Sequence, residues 1–199
     1  MTKTVEFYFD VGSPAAYLAW QRLPRICEEA GATLAYKPML LGGVFQAAGN
    51  QSPMNIPAKG RYVMTDLERF ARRYQIAFAH NPYFPINTLM LMRGATGMQM
   101  RDVARLVPYV DAVYRAIWID GQNMNDARVV ADVLQQAGFD PAAVLALVND
   151  PQVKERLKTV TQDAVARGVF GAPTFFVDGN MYWGQDRLDF VKEELEANP

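Results

Sequence analysis

Three short segments of the sequence carry residue types that could act together on a ligand, and the first of them contains Ser13. Ser13 lies in Gly12-Ser13-Pro14, where a pattern typical of a strand gives way to a pattern typical of a helix. The proline that follows favours an extended backbone at Ser13, which is the conformation of a helix N-cap. The serine is therefore either a helix cap alone or a cap that also offers its hydroxyl group to a ligand.

The surroundings of Ser13 disfavour a nucleophilic serine. A nucleophile elbow needs Gly-x-Ser-x-Gly, whereas Val11 and Ala15 occupy the two glycine positions. A nucleophilic serine also needs a base, and His80, the one histidine of the chain, lies in a proline-rich stretch typical of a loop. We therefore expect no Ser-His triad and interpret Ser13 as a hydrogen-bond donor.

The second segment is Val169-Phe170-Gly171-Ala172-Pro173-Thr174. Its proline stands immediately before a strand pattern, where a proline either simply begins the strand or follows a cis peptide bond. The strand-helix-strand pattern upstream and the hairpin-helix pattern downstream favour the cis bond. Such a bond would expose the backbone of Ala172, whose N–H and C=O groups could pair with an extended peptide.

The third segment, Trp183-Gly184-Gln185-Asp186, comes at the start of the last predicted helix. The free N–H groups and the dipole of a helix N-terminus suit a carboxylate, and the side chain of Asp186 could bind an amine. Helix capping and packing of the tryptophan are the alternative interpretation.

Together the three segments predict a site for a short peptide with two charged ends and a reactive group near Ser13. Glutathione meets that description.

Hydrophobic periodicity indicates the elements that would position these segments. Strands are predicted at residues 5–10 and 33–37, on either side of a helix that starts at Ala15 and ends at Gly31. A strand-helix-strand unit of this length predicts that the two strands are parallel neighbours.

The end of the chain returns to strands. Thr174-Phe175-Phe176-Val177 and residues 181–183 read as strands, and Asp178-Gly179 between them is a hairpin turn signal before a final helix. From Gly42 to about Gly168, a loop-rich stretch is followed by helical periods alone.

The order of elements predicts an α/β fold with a thioredoxin-like core and a large all-helical insertion. The core would be a discontinuous domain at residues 1–41 and 169–199, and the insertion would span residues 42–168. The chain has 199 residues, a length that suits one domain or one core with an insertion.

Composition limits the classes of function. Twenty Lys and Arg residues against 21 Asp and Glu residues give a formal net charge of −1, which argues against a general nucleic-acid binder. No apolar run of about 18 residues predicts a membrane span, and no signal peptide is evident, so we expect a cytoplasmic protein without a membrane partner. A single cysteine and a single histidine exclude an internal disulfide and predict no metal site.

These segments resemble the 2-hydroxychromene-2-carboxylate isomerases, which belong with the kappa-class glutathione transferases among the DsbA-like thioredoxin folds. The run from Phe7 to Ala19 resembles the opening of these isomerases. Residues 169–175 resemble the cis-proline segment of the family, and residues 183–188 resemble its glutathione site. The resemblance covers the whole chain and implies glutathione as the cofactor, a small aromatic substrate and a homodimer.

The resemblance also implies roles for individual residues. Ser13 would donate a hydrogen bond to the glutathione sulfur, and Ala172, next to Pro173, would pair with the cysteinyl backbone. Gln185 and Asp186 would hold the γ-glutamyl end. The remaining expected glutathione contacts are Asn55, Lys59 and Trp183.

The reactive sulfur must come from a ligand. Redox relatives carry Cys-x-x-Cys at this corner, whereas Ser13 to Ala16 contain no thiol. Cys27 lies further along the same helix, about 21 Å away at about 1.5 Å per residue, and is interpreted as a buried structural thiol.

Ser13 could activate such a sulfur without a cationic side chain. Lowering a thiol pKa of about 8.5 by about two units requires roughly 2.7 kcal/mol. A helix N-terminus offers about 0.3–2 kcal/mol, and a hydrogen bond to a charged acceptor offers about 1.5–3 kcal/mol. The position of Ser13 supplies both, so the resemblance and the chemistry agree on a thiolate stabiliser.

Three functions follow from this chemistry. The first is a glutathione-dependent isomerase of aromatic catabolism, in which glutathione is regenerated. The second is a kappa-like glutathione transferase or peroxidase, which consumes it. The third is a non-catalytic module that binds glutathione or a peptide. The retention of Ser13 at the helix start favours the two enzymes.

The second-substrate pocket would decide between isomerase and transferase. Some isomerases carry basic side chains after the second strand, whereas residues 40–45 are neutral here, which leaves Lys37 or Arg61 to meet a substrate carboxylate. The apolar side chains predicted to line this pocket are Leu40, Leu41, Val44, Phe45, Phe84 and Met90.

Overall fold

A four-stranded mixed sheet forms the centre of the molecule in the computed structural model, which describes residues 2–197. Residues 1, 198 and 199, at the ends of the predicted thioredoxin-like part, lie outside the described residues. The strands are β1 (Thr4–Phe9), β2 (Thr33–Pro38), β3 (Thr174–Val177) and β4 (Asn180–Trp183), in the sheet order β2-β1-β3-β4. The predicted α/β, thioredoxin-like class is confirmed.

The two halves of the sheet are joined at β1. Strands β1 and β2 are parallel, as the crossover through helix α1 (Pro14–Glu29) predicted. Strand β3 runs antiparallel to both β1 and β4. In the turn between β3 and β4, Asp178 and Gly179 both have positive φ, 48° and 86°, which is the backbone of the predicted tight hairpin.

Helices fill the chain between β2 and β3. They are α2 (Leu41–Ala48), α3 (Pro57–Tyr74), α4 (Leu89–Arg101), α5 (Leu106–Trp118), α6 (Ala127–Gln136), α7 (Pro141–Asn149) and α8 (Pro151–Ala166). A last helix, α9 (Leu188–Glu196), follows β4 through a short 3₁₀ turn. Proline at the first helical position after Asp140 and Asp150 begins α7 and α8, as their sequences predicted.

Two local predictions were wrong. Helix α2 forms where the glycines predicted a loop, because its Val44 is completely buried and its first N–H is bonded to a distant side chain. The first strand ends at Phe9 rather than Asp10, because the Asp10 side chain turns back to accept a hydrogen bond from Gly12 N. In α2 a tertiary contact overrides local propensity, whereas a local hydrogen bond sets the end of β1.

The sheet is covered on both faces. On one face, Phe7 and Phe175 stack with their ring centroids 5.2 Å apart, inside a core that α1, α9 and the inserted helices share. On the other face, Tyr8 and Phe176 pack with Val160 of α8. Because the inserted helices pack into the same core as the strands, the domain division at residues 42 and 168 stays a prediction. Within residues 2–197, no helix combines the length and the apolarity needed to cross a bilayer.

Cys27 is buried in α1 with 2% of its surface exposed, and desolvation raises its pKa to about 11. We therefore expect Cys27 to be unreactive toward an aromatic disulfide reagent at about pH 8 in the folded protein and to react fully in urea. Free glutathione under the same conditions is the control. Labelling of the folded protein at the rate of free glutathione would contradict the buried position.

Candidate active site

Ser13 caps helix α1, as the sequence predicted. Its backbone is extended, with φ −92° and ψ 114°, and its Oγ accepts a hydrogen bond from Ala16 N at 3.1 Å. The same hydroxyl donates to the carbonyl oxygen of Ala172 at 3.0 Å. Ser13 is 5% exposed, so its hydroxyl is held in a defined orientation at the positive end of α1.

The bond from Ser13 to Ala172 brings the first two candidate segments together. The Ala172–Pro173 peptide bond is cis, as predicted. Among the described residues, the N–H group of Ala172 donates no backbone hydrogen bond, which leaves it available to an extended ligand. Pro173 O accepts a hydrogen bond from Gly184 N at 3.0 Å, and this contact brings in the third segment.

Trp183 forms a wall beside the cis-proline segment. Trp183 is 49% exposed, and its indole ring packs on Phe170, with the ring centroids 4.9 Å apart. Gly171 lies underneath, where an added methyl group would be 2.6 Å from Trp183 Nε1. A residue with a side chain at position 171 would therefore displace the indole from this position, and the ring remains partly exposed to a ligand.

Gln185 and Asp186 provide acceptors next to Trp183. Gln185 is 4% exposed, and its Oε1 has no hydrogen-bond partner among residues 2–197. A buried acceptor without a donor is costly, so this amide suits a ligand that carries N–H groups. Asp186 is exposed, and its Oδ2 lies 2.6 Å from Nη1 of Arg187.

Asn55 and Lys59 follow Asn50 in the chain, and no hydrogen bond or ion pair of the described residues joins either side chain to the corner around Ser13. Asn55 ends a 3₁₀ turn and donates to Gln51 Oε1 at 3.2 Å, while Lys59 is exposed in the first turn of α3. The preceding loop is attached to the cis-proline segment through Asn50, whose Nδ2 donates to Phe170 O at 2.9 Å. The sequence reasoning missed Asn50, because no local signal marks a contact across 120 residues.

Asp10, also missed, is the most highly connected buried polar residue near Ser13. It is 1% exposed, and its Oδ1 accepts from Gly12 N at 2.9 Å. Its Oδ2 accepts from Leu41 N at 2.8 Å and from Thr88 Oγ1 at 3.0 Å. Burial raises the pKa of Asp10, and these three hydrogen bonds oppose that rise.

Three helices begin around the Asp10 carboxyl group. Leu41 is the first residue of α2, Thr88 is the N-cap of α4, and Ser13 caps α1 three residues after Asp10. Each helix N-terminus carries unpaired N–H groups and a partial positive charge. A carboxylate at their meeting point therefore compensates charge that the fold itself brings together.

The inserted helices also hold the turn that leads to Ser13. Trp118 Nε1, at the end of α5, donates to Val11 O at 2.9 Å, and Val11 N lies 3.4 Å from the sulfur of Met92 in α4. The turn is thus fixed from both sides by helices of the insertion.

The predicted pocket lining is dispersed in the structure. Leu40 lines a groove between α2, α4 and α8, whereas Met90 lines a separate one between α4, α6 and α7. Val44 is completely buried and cannot contact a ligand. Lys37, proposed to meet a substrate carboxylate, is engaged by Glu6 at 3.4 Å on the sheet.

Comparisons with known proteins identify the class to which this arrangement belongs. The DSBA-like thioredoxin domain matches residues 4–196, so the chain is a DsbA-like thioredoxin-fold protein. The 2-hydroxychromene-2-carboxylate isomerase of Sphingobium xenophagum is 34% identical over 197 residues, which cover 98% of this chain and 99% of the relative. A solved 2-hydroxychromene-2-carboxylate isomerase superposes with a TM-score of 0.84 and 32% identity, over 96% of this chain and 93% of that one.

A second group of relatives is more distant. Human glutathione S-transferase kappa 1 is 26% identical over 211 residues, which cover 98% of this chain and 92% of the relative. The chain belongs to the 2-hydroxychromene-2-carboxylate isomerase family, to which kappa-class glutathione transferases are related, as its motifs indicated. The comparisons indicate an enzyme of the glutathione-transferase-like superfamily.

Replacing Asp10 by alanine removes the acceptor of three donors and leaves the partly buried N–H groups of Gly12 and Leu41 without this partner. We expect a loss of about 3 kcal/mol in the free energy of unfolding, since one hydrogen bond to a charged group contributes about 1.5–3 kcal/mol. Urea denaturation followed by circular dichroism measures it. Asp132→Ala, on the exposed side of α6, is the control and should stay within about 0.5 kcal/mol. An equal effect of the two substitutions would refute the role of Asp10.

Proposed function

We propose that this protein is a glutathione-dependent isomerase that acts on an intermediate of aromatic catabolism, as its isomerase relatives do on 2-hydroxychromene-2-carboxylate. The observation that carries the proposal is the corner at which the Ser13 hydroxyl, at the N-terminus of α1, meets Ala172 before the cis proline. Membership of the isomerase family supports the reaction, and the kappa-class relatives support glutathione.

The described residues fit an extended tripeptide. The free N–H of Ala172 would donate to the cysteinyl backbone, which adds the ligand to the cis-proline segment as a short strand. Pro173 fixes the path of that segment, and the exposed Trp183 ring bounds it. This pairing would direct the cysteinyl side chain toward Ser13.

The γ-glutamyl end carries an ammonium and a carboxylate group. The unpartnered Oε1 of Gln185 and the carboxylate of Asp186 would accept hydrogen bonds from the ammonium group. The N–H groups at the start of the turn that leads into α9 would face the carboxylate. Asn55 and Lys59, which are exposed, would contact the outer parts of glutathione.

Ser13 would hold the sulfur in its thiolate form. Its hydroxyl now donates to the Ala172 carbonyl oxygen and would donate to the sulfur instead. The protein would thus lose one hydrogen bond to a neutral acceptor and gain one to a charged acceptor. Bound glutathione would supply a thiolate that adds reversibly to the conjugated double bond of the substrate, permits rotation and leaves again. Ser13 is the residue that we assign to catalysis, and no general base is required of it.

A kappa-like glutathione transferase or peroxidase is the second candidate. The 26% identity to the human kappa enzyme favours it, and the same Ser13 corner would serve it. A non-catalytic glutathione-binding module is the third. Homodimer formation, a cytoplasmic location and the absence of nucleic-acid and membrane partners stay predictions.

A titration of the glutathione thiol tests the catalytic assignment. In an ultraviolet difference titration from about pH 5 to about pH 9, we expect bound glutathione to show a thiol pKa well below about 8.5. Ser13→Ala should raise that pKa by at least about one unit, because the sulfur loses a hydrogen bond. Cys27 does not interfere, since its own pKa is about 11.

Thr65→Ala is the matched control, because it removes a hydroxyl group from the exposed side of α3. It should leave the thiol pKa unchanged. Binding with an unshifted thiol, or no binding, would eliminate both enzyme functions. A pKa lowered equally in the wild type and Ser13→Ala would refute the assignment of Ser13 to thiolate stabilisation.

Product analysis separates the two enzymes. With 2-hydroxychromene-2-carboxylate in large excess over glutathione, we expect isomerisation to continue to equilibrium and glutathione to be recovered unchanged. Chromatography of the mixture with thiol quantification measures both. Conversion that stops when the glutathione is consumed would assign the transferase instead.

A further inference from the structure

A groove of about 760 Å³ lies between α2, α4 and α8, apart from the glutathione corner. None of its lining residues belongs to the three segments that form that corner. Its apolar surface is formed by Leu40, Gly43, Ala47, Leu89, Leu157, Val165 and Ala166. Its volume falls within the range of about 300–1,000 Å³ that is typical of small-molecule sites.

The wall at Leu40 is held in place by hydrogen bonds. Leu40 N donates to Thr161 Oγ1 at 3.0 Å, and Thr161 donates in turn to Leu157 O at 2.7 Å. Gly43 lies so close to Thr161 that an added methyl group would be 3.3 Å from Thr161 Cγ2. The groove is thus a fixed feature of the contact between α2 and α8.

Two cationic side chains enter this apolar groove from opposite helices. Arg93 comes from α4 and Lys154 from α8, and both are partly buried. Within residues 2–197, neither forms an ion pair with a carboxylate, whereas Lys158 and Glu155 at the rim pair with each other at 3.5 Å. The groove therefore carries two positive charges without an ion-pair partner among the described residues, and an anion bound there would be attracted by both.

We propose that this groove binds an organic anion with a flat apolar body, specifically an arene carboxylate. Arg93 would bind the carboxylate in a bidentate fashion and Lys154 would contact it as a second charge. The ring would lie between Leu40, Leu89 and Leu157. The site is separate from the glutathione corner, and the inference does not depend on the proposed function.

Binding of 2-naphthoate, measured by isothermal titration calorimetry without glutathione, tests the proposal. We expect Arg93→Met and Lys154→Met each to weaken binding about tenfold, and the neutral 2-naphthamide to bind at least about tenfold more weakly than the acid. Ala47→Trp, which fills the groove from α2, should abolish binding. Circular dichroism shows whether each variant is folded.

Arg156→Met is the matched control, since Arg156 is an exposed cation on α8 that does not line the groove. It should change the affinity less than about twofold, and Ser13→Ala should leave it unchanged. No binding of 2-naphthoate, equal affinity for acid and amide, or affinity that falls with Ser13→Ala but not with Arg93→Met would overturn the proposal. The last result would place the acid at the glutathione corner, and the thiol titration tests that corner independently.

Discussion

The buried carboxyl group of Asp10 is the interaction on which the geometry around Ser13 depends. It accepts hydrogen bonds from the turn before α1, from the first residue of α2 and from the N-cap residue of α4. A charge inside a protein is costly unless polar groups surround it, and here three helix N-termini provide those groups. The reverse also holds, because three converging N-termini would repel one another without an anion between them.

This arrangement explains why the inserted helices and the sheet cannot be considered separately. Ser13 comes from the first strand-helix unit, and Ala172 comes from the segment that leads into β3, 159 residues later. The turn that joins β1 to Ser13 is fixed at Val11 by Trp118 and Met92, which both belong to the insertion. The site is therefore a product of the complete chain, and the shared core reflects the same dependence.

The features that could be predicted are those with a local physical signature. Ser13 followed by Pro14 indicates an extended cap, and Asp178-Gly179 between apolar runs indicates a tight turn; both are present. Helix α2 could not be predicted, because its glycines oppose a helix and its cap comes from Asp10 in another segment. The pairing of Asn50 with Phe170 likewise has no local signal.

The positions of charged side chains, like the long-range contacts, have no local signal in the sequence. The neutral stretch after β2 gave no sequence signal for an anion site, and Lys37 is already engaged by Glu6. The structure instead places Arg93 of α4 and Lys154 of α8, 61 residues apart in sequence, in the lining of one groove. A spacing argument along one helix or strand cannot find such a pair.

The electrostatics of the corner constrain how a sulfur could be activated there. The carboxyl group of Asp10 precedes Ser13 by three residues and offsets part of the positive potential of the three helix N-termini. The helix dipoles therefore lower the pKa of a nearby thiol by less than their sum. The directed hydrogen bond of Ser13 must then provide most of the roughly 2.7 kcal/mol that two pKa units require. In the structure that hydroxyl already points at a carbonyl oxygen in the cis-proline segment, 3.0 Å away. A sulfur held beside Ala172 would take this hydrogen bond from the carbonyl oxygen, so the lowering of the thiol pKa depends on how much more strongly the hydroxyl binds a charged sulfur than it binds that carbonyl.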